Sequence, residues 1–92
     1  MLDVVKKSLM IPLDETYADS ELETLINACK ELIISTGVEK KKVNGENQMV
    51  VSLVLIYCKT FFGFKNDGSV KDLPSSFDLL LRQLALTSGG KS

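Results

Sequence analysis

The chain has 92 residues, 45% of them hydrophobic, and a formal net charge of −1; its mean hydropathy is +0.12. This describes one domain with one small core and excludes a disordered tail. Of 11 basic residues only Arg82 is an arginine, and the chain has 2 cysteines and no histidine, which disfavours a dedicated DNA-reading module, a Cys/His zinc set and a histidine general base.

The first predicted element is a short helix over Leu2–Leu9, with Leu2, Val5 and Leu9 on one side and Lys6 and Lys7 outward. Asp3 suits its first turn. Pro12 ends it, because the ring pushes Ile11 out of the helical region. The segment Leu13–Asp19 is an acidic loop or the leading turn of the next helix. Its Asp14, Glu15 and Asp19 lack the D-x-D-x-D-G pattern of a calcium loop and read as charge placed before a helix.

The stretch Ser20–Gly37 organises the chain. Leu22, Leu25, Ile26, Cys29, Leu32 and Ile33 recur at i, i+3, i+4, i+7, i+10 and i+11, one stripe of a 3.6-residue helix. Ser20 and Glu23 form a candidate capping box, with Asp19 and Asp14 as rival caps. Gly37 stops the helix, since glycine takes the left-handed conformation at little cost. The following VEKKKVNGENQ is a loop with an Asn44-Gly45 turn, too charged around Lys40, Lys41 and Lys42 for a hairpin arm. Those lysines read as a solvated face, or as a weak contact for phosphate or an acidic partner.

Glu46–Phe62 is apolar on most of its circumference, and its length favours a buried helix over a strand. Such a helix must be covered on more than one side, and another subunit is one source of cover. Gly63–Pro74 is a loop marked by Asn66-Asp67-Gly68, in which Phe64 is either a lid on the core or an exposed anchor. Ser75 or Ser76 caps a last helix, Phe77–Leu86, with Phe77, Leu80, Leu81 and Leu84 as its stripe. Thr87–Ser92 is a flexible tail behind a single helical domain over residues 1–86.

Cys29 and Cys58 each lie in an apolar helical run and read as two small buried hydrophobes; a disulfide requires that the two helices cross there. The longest strongly apolar run, Met49–Cys58, falls well short of the ~20 residues that span a bilayer. The first residues lack a signal-peptide apolar region, so a soluble, reduced, cytoplasmic or virion location is expected. No glycine-rich phosphate cradle occurs, and the serines have no histidine partner. Catalytic, cofactor and metal residues are expected to be none, in an all-α bundle of about four helices.

Taken in order, the segments are a short L-D-x-V-K-x-x-L helix, a proline break, a D-x-x-Y-x-D segment, an L-x-x-L-I-x-A helix ending in S-T-G, a V-x-L-V-x-x-Y helix and a final S-F-x-x-L-L-x-Q-L helix. This order and spacing resembles the small head–tail connector proteins of long-tailed bacteriophages, a family also described in connection with DNA packaging. The residues that carry it include Leu2, Asp3, Val5, Lys6, Leu9, Asp19, Leu22, Leu25, Ile26, Ala28, Thr36, Gly37, Leu53, Val54, Tyr57, Leu80, Leu81, Gln83 and Leu84, over roughly residues 2–86. Two departures each remove a guanidinium: no arginine follows Tyr57 within the helix, and Ala85 follows Leu84 where the family often has arginine.

The resemblance implies a non-catalytic structural subunit of a phage or prophage. It would form a ring with copies of itself under the portal, with tail-side completion proteins as further partners. The ring would leave a channel through which genome DNA passes without sequence-specific binding, in the virion and, during assembly, in the host cytoplasm. Phe62, Phe64, Lys65, Asn66 and Asp67 are the expected subunit or portal contact. The rival reading is a small helical adaptor or regulator with weak nucleic-acid contact through Lys40–Lys42.

Overall fold

A computed structural model describes residues 1–62 and 73–89. The described residues hold four α-helices and no strand: α1 (Leu2–Ser8), α2 (Asp19–Ser35), α3 (Gln48–Phe61) and α4 (Ser75–Leu84). A 3-10 turn at Lys40–Lys42 precedes α3, and a π-helical turn at Ala85–Gly89 follows α4. The fold is the expected all-α bundle. Its hub is α3, which packs on α1, α2 and α4, while α2 packs on α1 and α3.

α1 ends in a Schellman motif. The Met10 N–H donates to the Lys7 carbonyl at 3.1 Å and the Ile11 N–H to the Lys6 carbonyl at 2.8 Å. The left-handed position between them is filled by Met10, at φ +63°, where glycine is usual. Ile11 then drops into the core.

α2 begins at Asp19 with Ala18 at the cap and no side-chain cap bond. The Ser20–Glu23 capping box therefore does not form. Ser20 already lies in the first turn, where its carbonyl accepts from the Thr24 hydroxyl at 3.0 Å. The buried stripe is narrower than expected: Leu22, Ile26, Cys29 and Ile33 are fully or nearly fully buried, Leu25 is half-buried at the edge, and Leu32 is exposed. The spacing of 4, 3 and 4 residues in that stripe is a seam facing two helices, and Leu32 falls one step round from it. Gly37 ends the helix as expected, at φ +106°.

Val38 and Val43 are buried and hold the intervening lysine turn against the core. The Asn44 side chain accepts from the Glu46 N–H at 2.8 Å, a local turn that replaces any hairpin. The cap of α3 is Asn47, whose Oδ1 accepts from the N–H groups of Met49 at 3.1 Å and Val50 at 3.3 Å. α3 buries Val50, Leu53, Val54 and Cys58, and its remaining large apolar residues are half-buried. The apolar surface of this helix is thus partly covered within the chain. α4 starts at Ser75, with Pro74 at the cap, so neither Ser75 nor Ser76 caps it. Phe77 and Leu84 are buried, Leu80 and Leu81 half-buried, and Leu79 and Leu86 face outward. The helical path continues through Gly89 as the π turn.

Candidate interaction surfaces

Lys6 was expected outward and is 2% exposed. One residue round from Val5 on α1, it turns toward the amino end of α2. Its Nζ donates to the Leu13 carbonyl at 3.1 Å, to the Glu15 carbonyl, and lies 2.8 Å from Asp19 Oδ1. Two carbonyls accept hydrogen bonds from it and a carboxylate oxygen lies beside it, an arrangement that makes a buried ammonium tolerable. Asp19 Oδ1 is itself cut off from solvent and has no hydrogen bond of good geometry, so the ammonium beside it compensates its charge by proximity. The carboxylate that looked like a cap is committed to this pair instead.

The consequence is a pinned segment. Ile11 and Ala18 are buried at either end of it, and Lys6 holds the carbonyls of Leu13 and Glu15 between. Outward from this scaffold stand Met10, 90% exposed, Tyr17, 72%, and Leu13, 47%. Asp14 and Glu15 are exposed among them. Three large apolar side chains held in the open on an ordered, acidic loop have the character of a contact face.

The lysine turn is different. Lys40 and Lys41 are exposed, and Lys41 and Lys42 each come only within 4.0 Å of Glu39 Oε1. Exposed pairs at that distance contribute little. The shallow depression beside them is shared by Lys41, Lys42, Asn44, Glu46 and Asn47, so a carboxylate sits among the cations. The turn offers charge around a shallow depression that also holds a carboxylate.

Of the residues expected at a subunit or portal contact, only Phe62 is described. It is half-buried against the core, with its N–H donating to the Cys58 carbonyl at 2.8 Å. Phe64, Lys65, Asn66 and Asp67 lie outside the described residues. Beneath Phe62, Tyr57 stacks obliquely on Phe61 at 4.8 Å and on Phe77 at 6.1 Å, which joins α3 to α4.

Cys29 and Cys58 are both free thiols in the core. Burial pushes Cys29 up to about 12, with a further push from Cys58, and Cys58 up to about 11. They are inert apolar fillers, as expected. Among the described residues no group of three or more Cys, Asp or Glu side chains gathers as a metal site, and no helix is long and apolar enough to cross a membrane.

No curated protein and no solved structure matches the chain. A model of the family described as phage connector protein matches residues 1–91. That span takes in every helix of the bundle, the pinned loop and the lysine turn, and it agrees with the resemblance seen in the order of the helices. The chain therefore belongs to the phage connector protein family, which gives it a structural, assembly role in a phage particle alongside other head and tail proteins.

Proposed function

We propose that the chain is a head–tail connector subunit that closes into a ring beneath the portal of a phage or prophage head and leaves a channel for the genome. The observation that carries this reading is the family match across residues 1–91. It is supported by a loop, held by Lys6, that leaves Met10, Leu13 and Tyr17 exposed. In this reading the subunit works without catalysis. Its partners are copies of itself, the portal and tail-side completion proteins. Phe62, Phe64, Lys65, Asn66 and Asp67 contact a neighbouring subunit or the portal, and Lys40–Lys42 make at most weak phosphate contacts. DNA passes through unread, in keeping with one arginine and a net charge of −1.

The test is to mix the protein with portal-bearing, tail-less heads and look for an added ring by negative-stain electron microscopy. A closed ring below the portal supports the reading. Heads that bind nothing, together with tight sequence-selective duplex binding at ~150 mM salt, would replace it with that of a small regulator.

A further inference from the structure

We infer that neighbouring copies meet head to tail, with the pinned acidic loop of one chain seated on the outer face of α4 in the next. This rests on the ring reading above and assigns its two faces. A ring requires a heterologous contact, in which two different patches of the same chain are complementary. The described residues expose two apolar patches, one beside two carboxylates and one beside an arginine that is paired with Asp78.

The first patch is Met10, Leu13 and Tyr17 with Asp14 and Glu15. The second is on α4 and the turn after it, where Leu79 is 64% and Leu86 78% exposed. Arg82 stands between them at i+3 from Leu79, on the same side of the helix. Its Nε lies 3.0 Å from Asp78 Oδ2, an exposed ion pair one turn apart on the helix. The helices that flank the loop, α1 and α2, do not pack substantially on α4, and both patches stand exposed.

The lysine turn is the weaker match for the acidic loop. Its valines are buried, so it offers no apolar surface of its own to meet Met10 and Tyr17. The α4 face offers both apolar area and a cation. The loop is also ordered in advance by Lys6, which lowers the entropy lost on docking. Methionine, tyrosine and arginine are the residue types enriched where such contacts form.

The test is charge reversal read on the same heads. Asp14→Lys with Glu15→Lys in one chain, and Arg82→Glu in another, should each lower ring formation at low salt by at least about ten-fold, since each places like charges across the contact. A chain carrying all three changes should recover the ring. Tyr17→Ser should weaken it without any change of charge. Asp14, Glu15, Tyr17 and Arg82 are all exposed, so the far-UV helical signal should stay that of the parent protein. Rings formed equally well by both reversal variants, or no recovery in the combined chain, would overturn this assignment and leave the ring reading standing. Failure of the parent protein to form any ring removes the ring reading, and this assignment with it.

Discussion

At the amino end of α2 a single lysine, Lys6, is 2% exposed and has three oxygen partners, two of them backbone carbonyls of the loop it holds. At the carboxyl end, Lys40, Lys41 and Lys42 follow one another on a turn, where Lys41 and Lys42 come within 4.0 Å of Glu39. The two ends are separated by the 17 residues of α2, about 25 Å at 1.5 Å per residue. The lone lysine organises backbone from a buried position, whereas Lys40 and Lys41 stand exposed. Charge that carries structure is charge taken out of water with its acceptors arranged around it, and a run of like residues in the sequence is no guide to that.

The largest expected effect sits on this contrast. Lys6→Met leaves two carbonyls without their donor and the Asp19 carboxylate without its counter-charge, and should cost about 3 kcal/mol, the lower end for a buried pair because the Asp19 side chain keeps 29% exposure. Urea melts measure it. Adding Asp19→Leu to Lys6→Met should recover part of the loss, and full additivity of the two changes would show that the pair is not coupled. Leu22→Ala calibrates the scale: a fully buried leucine should cost about 2–5 kcal/mol. Leu25→Ala, at the half-buried edge of the same helix, should cost less than Leu22→Ala, and equal costs would mean that α2 is rotated from its described phase.

The two core thiols give the next effect. Their pKa values are raised on folding, from 9.0 to about 12 for Cys29 and about 11 for Cys58. The folded state therefore holds its protons longer than the unfolded chain. The contribution is fully present below pH 9 and is lost as pH rises through the folded values, by about 1 kcal/mol per thiol for each pH unit above 9. Both thiols should resist alkylation at pH 8 in the native protein and react fully in denaturant. Fast native alkylation of Cys29 would place it outside the core.

Much of the bundle is legible in the sequence because apolar periodicity reports burial directly. Leu22, Ile26, Cys29 and Ile33 declare α2, Gly37 its end, and Phe77, Leu80, Leu81 and Leu84 the inner face of α4. What was not legible depends on partners that periodicity does not encode. Lys6 looks solvent-facing because it is charged, and its acceptors are carbonyls seven and nine residues away in a loop. Ser20 and Glu23 spell a capping box, but Asp19 begins the helix and spends its carboxylate on Lys6. Asn47 caps α3, because its amide oxygen reaches two N–H groups that a helix start leaves open. One signal did exist: Lys6 and Asp19 both stand in the segments on which the resemblance to connector proteins rests. The contact segment expected at Phe64–Asp67 lies outside the described residues, and the exposed apolar faces that are described lie on the loop after α1 and on α4.

The smaller effects sharpen the contrast further. Met10 occupies a left-handed position at φ +63° with 90% exposure. Met10→Gly should raise stability by up to about 1 kcal/mol by relieving that strain, yet weaken ring formation by removing an apolar contact. A variant that loses stability would show that the Met10 side chain packs on its own chain. Replacing Lys40, Lys41 and Lys42 together with alanine should shift stability by only about 0.5 kcal/mol or less at each position, which is the smallest change of the set.

The central claim is that the chain closes into a ring through its pinned loop. A cryo-electron microscopy reconstruction of portal-bearing heads carrying the protein tests it most directly. The account predicts a closed ring below the portal in which Met10, Leu13 and Tyr17 of each copy lie against Leu79, Arg82 and Leu86 of the next. Heads without added density, or a ring in which that loop faces solvent all the way round, would contradict it.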